Sequence, residues 1–243
     1  MNIVIIVQAR MNSTRLPGKV LKKVLGKTLL EYQVERLNRV KKAHKIVIAT
    51  TTNNADSKIA VLCKTLNLDC FRGDEHNVLS RYYYAAKTYH ADTIVRITAD
   101  CPIIDPAVVD NVIAPFIEKF PAYDYVSNTL TRTYPRGLDV EVFSFNALEQ
   151  AFSHAKGQSE LEHVTPFMYK NASLFKLFNV SNANDCSYHR WTVDAPEDFT
   201  LVSTLIENLY PTNHHFTMND VLAYLETHED LFFINSEIEQ KHV

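Results

Sequence analysis

The apolar positions of this 243-residue chain fall into short blocks that switch between two periods. Ile3-Val4-Ile5-Ile6-Val7 is a continuous, mostly β-branched run, which reads as a strand buried on both faces. Leu29 to Val40 then places Leu29, Leu30, Val34 and Leu37 at helical spacing. Lys45 to Thr50 is a second buried strand, and Ala55 to Leu66 is a helix with Ile59, Leu62 and Leu66 inward. Leu68 to Phe71 reads as a short strand, Asn77 to His90 as a helix, and Asp92 to Thr98 as a further strand. Pro106 to Phe120 is helical, with Asp105 placed to cap it and Pro106 in its first turn. Alternation of this kind predicts an α/β protein, a mostly parallel sheet with helices on both faces.

The second half is less regular. Asp124 to Ser127 and Leu138 to Phe143 alternate like strands with one wet face, and Leu174 to Phe178 and Trp191 to Val193 also read as strands. Helices are expected at Asn146 to His154, Ser159 to Lys170, Pro196 to Leu209 and Thr217 to Thr227. No internal repeat, low-complexity tract or linker interrupts the chain. The expectation is therefore one domain over 1–243, with residues from about 120 to 190 adding a lobe for substrate or for a homodimer contact.

Composition narrows the class. Hydrophobic residues make up 46% and charged residues 22%, as in an ordinary globular chain, and five glycines are too few for Gly-rich repeats. The four cysteines, Cys63, Cys70, Cys101 and Cys186, form no CxxC pair, which speaks against zinc fingers and disulfide frameworks. No stretch has the length of a membrane span, and the N-terminal apolar run is too short for a signal-peptide core, so the expected location is the cytoplasm. The net charge is -3, and no broad basic face points to nucleic acid.

Against that acidic background, the first thirty residues hold six basic side chains and no acidic one. Directly after the first strand comes Gln8-Ala9-Arg10-Met11-Asn12-Ser13-Thr14-Arg15-Leu16-Pro17-Gly18-Lys19. Ligands of open α/β sheets bind outside the carboxyl ends of strands. Arg10, Arg15 and Lys19 at that position suit a polyphosphate, since guanidinium forks grip phosphate oxygens and lysine adds a point charge. Two aspartates also follow predicted strands: Asp100 in Arg96-Ile97-Thr98-Ala99-Asp100-Cys101-Pro102, and Asp194 in Arg190-Trp191-Thr192-Val193-Asp194-Ala195-Pro196. Each can cap the helix after it. Together, facing the basic loop, they can seat Mg²⁺ with phosphate oxygens. There is no GxxxxGK[ST] loop, and no GxGxxG follows the first strand.

Residues Ile6 to Lys19 resemble the signature of the sugar cytidylyltransferases, among them the enzymes that make CMP-activated 3-deoxy-octulosonate and CMP-acylneuraminate. The likeness is closer to the SpsF-type spore-coat polysaccharide family. Further similar stretches are Phe71 to Asp74, Val78 to Tyr83, Arg96 to Pro106, Arg136 to Phe143, Glu162 to Pro166 and Arg190 to Phe199. The resemblance implies a three-layer α/β/α nucleotide-diphospho-sugar transferase fold with a mixed sheet. It places CTP on Gln8, Ala9, Arg10, Ser13, Arg15, Lys19 and Asp100, with Arg72, Gly73, Val78 and Arg81 beside base and ribose. It makes Asp100 and Asp194 the Mg²⁺ ligands, and Arg10, Lys19, Asp100 and Asp194 the catalytic set.

Asp139 and Glu141 stand two apart on a predicted strand and so share a face. With Arg136 and His163 they suit a sugar's hydroxyls and acid group, or they form an ordinary solvated face. Relatives often carry Arg where this chain has Leu161. The expected reaction is CMP transfer from CTP to a sugar or sugar acid with release of pyrophosphate. The alternatives are a glycosyltransferase that uses a ready-made nucleotide sugar, and a non-catalytic subunit of a polysaccharide pathway. Against the first, Asp100-Cys101-Pro102 lacks the second acid of an Asp-x-Asp.

Overall fold

The computed structural model of the chain describes residues 1–239, so 240–243 of the span expected as one domain lie outside the described residues. Its centre is the first apolar run, strand β1 (Ile3–Gln8), which pairs in parallel with β4 (Lys45–Thr51) on one side and β6 (Thr93–Thr98) on the other. A short antiparallel pair, β2 (Lys23–Val24) and β3 (Lys27–Thr28), lies outside the main sheet. The remaining strands are β5 (Asp69–Gly73), β7 (Tyr125–Ser127), β8 (Glu141–Ser144) and β9 (Leu177–Asn179). They complete a seven-stranded sheet in the order β5-β4-β1-β6-β8-β7-β9, in which β8 runs antiparallel to both neighbours.

Because successive strand side chains point to opposite faces, β1 feeds two cores. Ile3, Ile5 and Val7 join a cluster under α1 (Leu29–Leu37), α2 (Ser57–Thr65), α4 (Pro106–Glu118), α8 (Pro196–Leu209) and α9 (Met218–Glu226). Val4 and Ile6 join the opposite cluster under α3 (Val78–Thr88), α5 (Phe145–His154) and α7 (Pro166–Lys170). The fold is the expected three-layer α/β/α sandwich with a mostly parallel mixed sheet. Thr28 begins α1 with a capping box: its side chain accepts from the Glu31 N–H, and Glu31 reaches back to the Thr28 N–H.

Three expected elements differ, the strand expected from Leu138 beginning only at Glu141 and being buried. The single helix over Ser159 to Lys170 is broken into α6 (Gln158–His163) and α7, because Val164 adopts φ +73° and Pro166 cannot supply an N–H to continue the helix. Trp191 to Val193 is not a strand. Its neighbour Arg190 makes one isolated parallel bridge with Arg136, and Val193 N–H donates to the Asp100 carbonyl at 2.8 Å. The segment is instead drawn against the turn at Gly137, which has φ +103°. A Cβ there would lie 2.6 Å from the Trp191 carbonyl carbon, so only glycine allows this approach.

Candidate active site

At the carboxyl ends of β1 and β6 lies a cleft of about 390 Å³, lined by Gln8 to Arg10, Ser13 to Arg15, Lys19 and residues of five later segments. The loop after β1 folds back on itself: Gly18 N–H donates to the Met11 carbonyl at 2.8 Å, and Gly18 takes φ +70°. Asp56, 1% exposed, fixes the other side of this loop. Its Oδ1 accepts the Met11 N–H at 2.6 Å, and its Oδ2 accepts from the Thr51 hydroxyl. Arg10 and Lys19 are thereby presented from a pinned backbone.

Lys19 reaches across to both aspartates. Its Nζ lies 3.1 Å from Asp100 Oδ2 and 2.6 Å from Asp194 Oδ1. Asp194 Oδ2 also meets Arg15 at 3.0 Å and Arg190 at 3.2 Å. Burial opposes charge on Lys19, but the two carboxylates outweigh it and its pKa is raised. Burial likewise opposes ionisation of Asp100, yet the Lys19 charge and hydrogen bonds from Thr98, Lys19 and Cys101 pull its pKa down to about 2.

Neither aspartate caps a helix. Asp105 caps α4 through the Ala107 N–H. The start of α8 is served by Asp198, whose Oδ2 accepts from the Asp194 and Ala195 N–H groups, each at 2.9 Å. Neither site carboxylate is spent on a helix N-terminus; their partners are the side chains of Lys19, Arg15 and Arg190.

Other expected residues divide. Val78, Arg81, Asp139 and His163 line the same cleft. Arg81 is 2% exposed, and its Nε and Nη1 have no hydrogen-bond partner among the described residues. Burial lowers its pKa, and a ligand oxygen would relieve the cost of the unpaired donors. Burial also lowers the His163 pKa and favours its neutral ring. Arg132 holds Asp139 through two contacts of 2.5 and 2.9 Å.

Arg72, Gly73, Arg136 and Glu141 are not among the cleft-lining residues. Arg72 donates to the Thr51 and Asn53 carbonyls, each at 2.8 Å, and so clamps the β4 terminus. Gly73 packs beneath Arg81. Arg136 lines a separate cavity with Tyr188, His189 and Trp191. Glu141 does not share a strand with Asp139, since β8 begins at Glu141. Its carboxylate is buried against Arg96, its register partner on β6, and accepts from the Tyr125 and Thr165 hydroxyls at 2.6 Å each.

Sequence reasoning gave no role to Arg96, Thr98 or Glu162, which line the cleft, nor to Asp56. For Arg96 a signal exists. A charge inside Thr93-Ile94-Val95-Arg96-Ile97-Thr98 breaks an apolar strand and needs a partner.

Among the described residues no group of three or more His, Cys, Asp or Glu is placed to hold a metal ion. Two carboxylates facing a cleft also lined by Arg10, Arg15, Arg81 and Arg96 still fit Mg²⁺, which is typically bound by one or two carboxylates together with substrate phosphates. Among the described residues no helix is long and apolar enough to cross a membrane.

Comparison with known proteins finds similarity over nearly the whole chain. The family model described as cytidylyltransferase matches residues 4–242. An uncharacterized protein of Methanocaldococcus jannaschii is 37% identical over 99% of this chain and 97% of its own length. The spore coat polysaccharide biosynthesis protein SpsF of Bacillus subtilis is 30% identical over 85% of this chain and 87% of its own. The structure of a cytidylyltransferase from Leptospira borgpetersenii serovar Hardjo-bovis superposes with a TM-score of 0.92 at 33% identity, covering 100% of both chains.

Proposed function

This chain belongs to the cytidylyltransferase family and is a nucleotidyltransferase, and we propose that it transfers CMP from CTP to a hydroxyl of a sugar or sugar acid in surface polysaccharide synthesis. The observation that carries the reading is the convergence of Lys19, Asp100 and Asp194 at the rim of a cleft also lined by Arg10, Arg15 and Arg81.

In this reaction the acceptor oxygen forms a bond to the α-phosphorus of CTP. The bond from that phosphorus to the bridging oxygen breaks, pyrophosphate leaves with the electron pair, and the proton of the attacking hydroxyl passes to solvent. Arg10, Arg15 and Lys19 bind the triphosphate and neutralise the charge that gathers on the leaving pyrophosphate. Asp100 and Asp194 would hold Mg²⁺, which when bound supplies charge neutralisation and polarises phosphoryl oxygens. Gln8, Ala9, Ser13, Val78 and Arg81 form the nucleotide wall, with Arg81 offering its unpaired donors. Asp139 and His163 face the acceptor, Asp139 as an acceptor of hydroxyl hydrogen bonds and His163 as a neutral ring. Positioning and electrostatics carry the catalysis.

The test is a pyrophosphate-release screen of four nucleoside triphosphates against sugar acids, sugar phosphates and neutral sugars. Release with CTP, dependent on a divalent cation and on one acceptor class, is expected. Transfer from a ready-made nucleotide sugar with no pyrophosphate release would overturn the reading.

A further inference from the structure

Around Asp194 the charged side chains of the cleft pair with one another. Lys19 bridges Asp100 and Asp194, Arg15 and Arg190 hold the other oxygen of Asp194, and Arg190 also grips the buried Asp198 at 2.8 and 3.0 Å. Within this cluster Asp100, Asp194 and Asp198 stand against Lys19, Arg15 and Arg190, while Arg10, Arg81 and Arg96 add positive charge elsewhere in the cleft. The Lys19 ammonium sits between the two carboxylates that would hold the metal in the reaction proposed above. A divalent cation arriving alone would confront that ammonium at close range. It would also have to shed water for only two protein ligands, which Mg²⁺ does reluctantly. A triphosphate changes the balance. It brings more negative charge than the metal brings positive, and it offers Lys19 other oxygens to bind. Lysine suits this exchange because it is a point charge on a flexible stem. The loop that carries it is fixed at Met11 by Asp56, so the side chain can move while its backbone stays.

We infer that Lys19 is a stand-in cation, occupying the metal-binding carboxylates until nucleotide draws it away, so that the site accepts a divalent cation only together with the triphosphate. The inference rests on the cytidylyltransfer reading above. It adds an order of assembly: metal and CTP together, never metal first.

The experiment uses Mn²⁺ as the probe. Free Mn²⁺ is counted by electron paramagnetic resonance with protein alone, and Mn²⁺·CTP bound to protein is read from water-proton relaxation. Wild-type protein is expected to leave Mn²⁺ alone free at millimolar concentrations and to give relaxation enhancement once CTP is added. Lys19→Met should bind Mn²⁺ without nucleotide at least about tenfold more tightly than wild type, since one close like charge has gone. That gain should vanish in the Lys19→Met/Asp194→Asn double variant. Thermal melts check that each variant folds, and Lys19→Gln serves as a second neutral replacement. Wild-type binding of Mn²⁺ alone as tightly as with CTP overturns the inference but spares the cytidylyltransfer reading. A folded Lys19→Met or Lys19→Gln with no gain does the same. Failure of wild-type protein to bind Mn²⁺·CTP at all removes both.

Discussion

Gly137 does more for the site than its single hydrogen side chain suggests. At φ +103°, with the Trp191 backbone where a Cβ would go, it lets the Arg190 to Asp194 segment close onto the end of β6. Gly137→Ala should cost about 1–3 kcal/mol for the backbone strain alone, with overpacking added. It should also displace Asp194 from Lys19, so turnover falls further than stability does. A thermal melt paired with a pyrophosphate-release assay reads both, and an unchanged melt would refute the packing argument. Arg10→Ala should weaken CTP by about 1–3 kcal/mol without lowering the melting temperature, as titration calorimetry can read. Asp100 adds a pH dependence. Its pKa is depressed to about 2 in the folded protein. The Lys19 pair therefore contributes stability above roughly pH 4, the unfolded carboxylate value, and loses it as pH falls toward the folded value. Melting temperatures followed from pH 5 to 2 should show this loss in wild type, and Asp100→Asn should flatten it.

At the scale of elements, the loop after β1 is held in place by its neighbours. Asp56, from the turn before α2, takes the Met11 N–H, while Asn12 and Asn53 share the carboxylate of Glu75 at 3.0 and 2.9 Å. If this loop holds the triphosphate as proposed, wandering would cost it affinity through the entropy of ordering it. Asp56→Asn keeps the shape but weakens the charge-assisted acceptor. It should raise KM for CTP by the equivalent of about 1–3 kcal/mol, with a smaller change in kcat. Equal losses in both constants, tracking a lower melting temperature, would reduce Asp56 to a fold residue.

Over the whole molecule, β8 is where the sheet reverses direction, and Glu141 with Arg96 joins it to β6. The pair is buried, with Tyr125, Thr165 and Gln8 completing its hydrogen bonds. Removing one member of such a pair leaves the other charge uncompensated and costs about 3–5 kcal/mol. Glu141→Gln should therefore appear in urea unfolding by that amount, with little change in acceptor KM at temperatures where the variant is folded. His163→Ala, on the cleft wall, should do the reverse. An acceptor KM that rises in Glu141→Gln without loss of stability would return Glu141 to the substrate face.

The chain's own pattern determined the layers and much of one wall. Buried strands and amphipathic helices announce themselves by local period, and Arg10, Arg15 and Lys19 stand out because the local segment lacks acids. Asp100 was legible because it follows a strong strand. What the tertiary structure decided were the partnerships across distance. Asp194 meets Lys19 only because a glycine admits a segment that is not a strand. Helix capping at that point falls to Asp198. Glu141, paired by sequence spacing with Asp139, is taken by Arg96 on the neighbouring strand. Arg136 turns to another cavity. Spacing along a chain fixes which side chains share a face of one element, but the partner of a buried charge is chosen by register between elements and by desolvation. Those become defined only once the sheet is assembled.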